Sequence, residues 1–145
     1  MRLPIALVLG LLVGACGAPA ELSADKAWIR LPAAGGRPAA AYVTLRGGPE
    51  KATLLAVSTP AALRTEIHES MTGHNNMASM KPIEQIDVAP GATVVLEPGG
   101  KHVMLFDVSP NLKAGGSAPL TLQFAEGRTI TADATVVAPG DPAPK

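Results

Sequence analysis

All three histidines of the chain and four of its five methionines fall between His68 and Met104. One stretch, His68-Glu69-Ser70-Met71-Thr72-Gly73-His74-Asn75-Asn76-Met77-Ala78-Ser79-Met80, holds two histidines and three methionines. The second group is His102-Val103-Met104. Each residue alone has an ordinary explanation, since methionine fills irregular core space and a lone histidine is commonly a satisfied polar group. The joint arrangement is harder to place by packing. Residues i and i+2 of a strand point to one face, so His102 and Met104 offer an imidazole and a thioether side by side, while Val103 and Leu105 turn into the core. His68 stands beside Glu66 on the polar side of Ile67, and Met80 returns after a loop rich in Gly, Asn and Ser.

The donor types select the ion. Thioethers are soft, neutral ligands that favour Cu(I), and imidazole suits copper in either oxidation state; Cu(I) is expected, with Cu(II) left open. Zinc sites use thiolate, imidazole or carboxylate and rarely thioether. A blue-copper centre needs a cysteine thiolate, and the sole cysteine is Cys16, near the N-terminus. Met71, His74 and Met77 read as loop residues near the metal. Ser70 or Ser79 with His68 or His74 lacks a nucleophile elbow and an orienting acid, and no phosphate loop, zincin motif or EF-hand loop occurs. A binding protein is expected, not an enzyme.

Strands must position these groups. Short β-rich runs are read at Ala27–Leu31, Ala40–Arg46, Thr53–Ser58, Thr65–Glu69, Ser79–Ile83, Thr93–Leu96, His102–Val108, Leu120–Phe124 and Thr129–Val137. Gly- and Pro-rich breaks separate them, and no 3.6-residue period is sustained, so the class is all-β, a sandwich or barrel. Ala61–Arg64 suggests at most a helical turn. Pro98-Gly99 suits a type II turn, which would place His102 near one end of the sandwich, where loops converge. Leu54, Ile67, Val95, Val103, Leu105, Leu122 and Phe124 are the expected core members. The tail Pro139-Gly140-Asp141-Pro142-Ala143-Pro144-Lys145 cannot continue a central strand and is expected to be disordered.

Met1-Arg2 followed by the apolar run Leu3 to Val13 reads as a secretory signal, too short for a permanent span. Val13-Gly14-Ala15-Cys16 resembles a bacterial lipobox, with Cys16 as the lipidated first residue of the mature chain. The expected organisation is a signal at 1–15, lipidated cysteine and tether at 16–25, a domain at 26–138 and the tail at 139–145. That places the protein on the periplasmic or other extracytoplasmic face of a membrane, held by its lipid anchor. Without Arg2 the chain has eleven basic and twelve acidic residues, a formal charge of −1. No basic run occurs and only four aromatics are present, so no nucleic-acid partner is expected.

The intervals also match a known signature. His68, eleven residues, Met80, twenty-one residues, His102, one residue, Met104 resembles the pattern His-(Met)-X10-Met-X21-His-X-Met of the periplasmic copper chaperone family PCu(A)C. Surrounding text is similar as well: Ala27-Trp28-Ile29-Arg30, Ala40 to Leu45, Ile67-His68-Glu69, Met80-Lys81-Pro82-Ile83 and Glu97 to Leu105. The resemblance spans about Ala27 to Ala138. It implies a cupredoxin-like β-sandwich of about eight or nine short strands holding Cu(I) through His68, Met80, His102 and Met104. It further implies delivery of copper to the two-copper centre of cytochrome c oxidase subunit II, alone or with Sco-type thiol proteins. Two departures stand out. Glu69 replaces the optional methionine after the first histidine, leaving Met71 as a candidate substitute, and the tail lacks the His and Met of a second, tail-borne copper site. A copper-sequestering or tolerance lipoprotein without a delivery role would need the same four ligands. A metal-free adhesion or structural lipoprotein is the third alternative.

Overall fold

Runs of β-branched and aliphatic residues bounded by Gly and Pro favour extended chain, and the computed structural model forms ten strands from them. It describes residues 20–145; the expected signal segment, Cys16 and the tether as far as Pro19 lie outside the described residues. The strands are β1 (Ser23–Arg30), β2 (Ala39–Arg46), β3 (Ala52–Ser58), β4 (Ala62–Thr72), β5 (Ala78–Pro82), β6 (Ile86–Val88), β7 (Thr93–Val95), β8 (Lys101–Val108), β9 (Ser117–Phe124) and β10 (Thr129–Val137). Two 3-10 turns, His74–Asn76 and Ala125–Gly127, are the only helical pieces among the described residues.

The strands form one hydrogen-bonded path, β5-β4-β8-β2-β1-β10-β9-β3-β6, with β7 also paired to β2. Only β1 and β10 run parallel. The path folds over on itself, so side chains from its two halves meet in one core. Ile29, Val43, Val103 and Leu105 come from one half and Leu54, Leu120 and Leu122 from the other, all fully buried. Thr65 of β4 donates its hydroxyl to the Val57 carbonyl of β3, linking the two halves. At Gly47 the backbone turns so tightly against the β6–β7 loop that a Cβ would lie 2.3 Å from the Ala89 carbonyl oxygen.

Several sequence expectations are corrected. Ile86–Val88 is a tenth strand, too short to display a period of its own but fixed by pairing with Ala52–Leu54. β1 begins at Ser23, inside the span assigned to the tether, because Ser23 pairs with Arg46. Ala62–Arg64 is strand, not a helical turn, since it pairs with β8. Val95 is 47% exposed; the register sets Val94 opposite the buried Leu45, so Val94 takes the core position. The tail is not free of contacts, because the Arg30 Nε–H donates to the Asp141 carbonyl at 3.0 Å.

Candidate metal centre

His68 of β4 stands directly opposite His102 of β8, with ring centroids 6.0 Å apart. Met104 opposes Glu66, and Met80 of β5 opposes Ser70. Opposed residues share a face, as do residues two apart. Met80, Ser70, His68, Glu66, His102 and Met104 therefore occupy one face of the segment β5–β4–β8. Ile67, Val103 and Leu105 alternate onto the other face and are buried in the core. The register thus assembles all four expected ligand positions on one face.

Their burial is graded. His102 is 5% exposed and Met80 57%, with His68 and Met104 half-buried between them. The type II turn forms as expected, with Gly99 at φ 84° and the Gly100 N–H donating to the Glu97 carbonyl at 3.0 Å. The surroundings of His102 differ from expectation. β4 continues three residues past Glu69 to Thr72, so the neighbours of His102 are strand residues on a sheet face and not a cluster of loops.

Hydrogen bonds fix both imidazoles. His102 Nδ1 lies 3.0 Å from the Gly100 carbonyl oxygen, which can only accept, so Nδ1 carries the proton and Nε2 keeps its lone pair. The same carbonyl accepts the Ser70 N–H at 3.0 Å, tying the turn to β4. His68 Nε2 lies 2.8 Å from Glu66 Oε2. That bond holds the Glu66 carboxyl below the usual carboxylate range; partial desolvation opposes it and the Arg64 guanidinium adds to it. The ionised carboxylate accepts, so His68 Nε2 carries the proton and Nδ1 presents a lone pair. Nδ1 is buried and has no hydrogen-bond partner, a condition that costs on the order of 1–3 kcal/mol.

A metal ion fits this arrangement. Metal-binding histidines characteristically donate their remote N–H to a carboxylate or backbone carbonyl, which sets tautomer and ring orientation. Here one of each does so. Glu66 is engaged by His68 and Arg64, so the side-chain donors of the expected ligand set on this face are two imidazoles and two thioethers. That set is softer than zinc requires. Sequence reasoning placed Glu66 beside His68 without giving it this role. The Gly100 carbonyl had no signal in the sequence beyond the turn itself.

Aromatic residues wall the buried side. A bulge in β1, with Lys26 at φ 51°, shifts the register between Asp25 and Trp28 and sets Trp28 opposite Tyr42. The two rings stack at 4.3 Å, the Arg30 guanidinium lies 4.9 Å over Trp28, and Tyr42 stands 6.5 Å from His102. Burial raises the Tyr42 phenol above its ordinary value, with Arg30 opposing. Met71 opposes Ser79 and lies with Glu69 on the reverse face of β4, away from His68 and Met80. His74 and Met77 lie beyond the sheet in the β4–β5 turn.

Known proteins share this sequence and fold. The sequence model of the family described as "Putative lipoprotein LpqE-like" matches residues 22–136. A relative from Leifsonia xyli subsp. xyli, "Putative lipoprotein Lxx21020", is 30% identical over 106 residues, covering 72% of this chain and 63% of the relative. The chain thus spans less than two thirds of that relative's length. Among solved structures, the copper-bound PCuAC domain from PmoF2 superposes with a TM-score of 0.67 at 26% identity, over 85% of this chain and 97% of that one. The Cu(I) form of DR1885 from Deinococcus radiodurans matches with a TM-score of 0.60 at 32% identity, over 77% of this chain and 74% of that one. The fold is the cupredoxin-like β-sandwich of these domains.

Proposed function

The chain belongs to the LpqE-like lipoprotein family, and from that premise we propose that it is a lipid-anchored, extracytoplasmic carrier of Cu(I). His68 Nδ1, His102 Nε2 and the thioethers of Met80 and Met104 hold the ion, and a lipid on Cys16 holds the protein at the membrane. One observation carries this reading: two histidines on one sheet face, each with one ring nitrogen fixed as a donor, leaving His68 Nδ1 buried without a partner. The likeness to the copper-bound PCuAC domain of PmoF2 and to the Cu(I) form of DR1885 supports the choice of metal.

Delivery is favoured over sequestration by the ligand chemistry and by exposure. All four donors are neutral, so an acceptor presenting thiolates can draw Cu(I) away down a gradient of affinity. Met80, the most exposed of them, is the donor such an acceptor reaches first. The proposed acceptor is the two-copper centre of cytochrome c oxidase subunit II, filled directly or with a Sco-type thiol protein as a further partner. The test mixes the Cu(I)-loaded protein with an apo fragment carrying that centre, separates the two, and measures the copper in each; one-electron oxidation of the filled fragment with ferricyanide then develops its absorption. Transfer at near-stoichiometric protein supports a carrier. Copper retained against the apo fragment and against a Sco-type dithiol would instead make it a sequestering protein.

A further inference from the structure

The β4–β5 hairpin carries Met71, His74 and Met77, which the four-ligand site leaves unused. The pairing register continues past the strands: Thr72 opposes Ala78, and the Gly73 N–H donates to the Met77 carbonyl at 3.0 Å. Gly73 and Met77 both have extended backbone, so side-chain alternation holds to the end of the hairpin. Met71 opposes Ser79, and Met77 is therefore its diagonal neighbour on the same face. Diagonal positions lie about 7–8 Å apart, within reach of long side chains. Gly73 has no side chain and Ser79 a small one, so nothing on that face stands between the two thioethers.

This face is the reverse of the one bearing His68 and Met80. Met71 is 46% exposed and Met77 71%, and His74, the first residue of the turn, is exposed. Asn75 and Asn76 hold the turn with left-handed backbone, φ 73° and 56°, a conformation asparagine tolerates better than most residues. The carboxylate on this face, Glu69, is held by Lys101 at 2.9 Å and stands opposite Lys81. That carboxylate's charge is already offset by lysines, which disfavours a hard cation, whereas a soft one finds two thioethers with the histidine of the adjoining turn.

We propose that Met71, Met77 and His74 form a second, weaker Cu(I) site at the hairpin tip, which captures the ion from solution one edge strand away from Met80. This goes beyond the carrier site and does not depend on it. The test titrates the mature lipoprotein in detergent with Cu(I) under anaerobic conditions, following methionine methyl signals by NMR. The Met80 and Met104 methyls should shift with the first equivalent and those of Met71 and Met77 with the second. The M71L/M77L double variant should bind one equivalent in place of two, and His74→Ala should weaken only the second step. Unmoved Met71 and Met77 methyls in excess Cu(I), or a second equivalent surviving in M71L/M77L, would overturn the proposal. Shifts at Met71 and Met77 with none at Met80 and Met104 would leave the hairpin site standing and refute the four-ligand assignment.

Discussion

Replacing Glu66 tests whether His68 is oriented for a metal or merely paired with a neighbouring acid. Its Oε2 accepts from His68 Nε2 at 2.8 Å, and its other oxygen is engaged by Arg64. Without that acceptor, the proton can move to Nδ1 and the ring can turn, and either change removes the lone pair from the site. Loss of such outer partners typically lowers metal affinity about ten- to a hundredfold. The Glu66 side chain is 37% exposed, so water can partly replace it, and the expected loss for Glu66→Ala sits near the lower end, about tenfold. Glu66→Gln keeps an acceptor oxygen and should lose less. The internal control is Glu69→Gln, three residues along the same strand. Glu69 faces away from His68 and pairs with Lys101, so its loss should leave Cu(I) affinity unchanged. Competition against a Cu(I) chelator reads all three variants, with circular dichroism confirming that each folds. Wild-type affinity in Glu66→Ala, or an equal loss in Glu69→Gln, would refute the argument.

Met80→Leu and Met104→Leu should each keep the fold, since leucine matches methionine in volume and such exchanges cost under about 1.5 kcal/mol even when packed; both should weaken Cu(I) binding and impair copper transfer in the same competition and oxidase-fragment assays. Acidification should release copper, because protons and Cu(I) compete for the same imidazole lone pairs. Since Glu66 is held below the usual carboxylate range, its acceptor should survive the onset of that release, and a retention profile flat from neutral pH down to the ordinary carboxylate range would count against histidine ligation. Cys16→Ala should shift the protein from the membrane fraction to the soluble one, and intact mass spectrometry of the native form should find a mature chain starting at Cys16 with lipid mass attached.

Much of this centre is legible in the sequence because strand geometry is periodic. His102 and Met104 must share a face, and Val103 and Leu105 must oppose them, whatever the surrounding fold; the structure buries Val103 and Leu105 accordingly. What is not legible is set by partners distant in sequence. The three residues of β7 cannot declare which side faces the core, and only the pairing of Val94 with Leu45 decides against Val95. The length of β4 likewise depends on β5, which pairs with it through Thr72, and this extension turns a supposed loop-lined end into a sheet face. The orientation of His102 needs the Gly100 carbonyl, a backbone group that no residue identity reveals.

The sheet face explains how the proposed site of neutral donors can be both ordered and open. His68 and His102 belong to adjacent strands whose opposite sides are packed by Ile67, Val103 and Leu105, so the core fixes their separation through backbone register and not through the ligands. Packing at this density resists displacement, and the two fixed ring tautomers add orientation to position. β5 is different in kind. It is the edge of the path, and every one of its residues is exposed, so Met80 is attached to a rigid pair of histidines by a strand with no core of its own. An incoming acceptor can displace the Met80 thioether without disturbing a buried contact, whereas displacing His102 first would require entry beside Trp28 and Tyr42, both buried. Release should therefore proceed from the edge strand inward, Met80 first and His102 last.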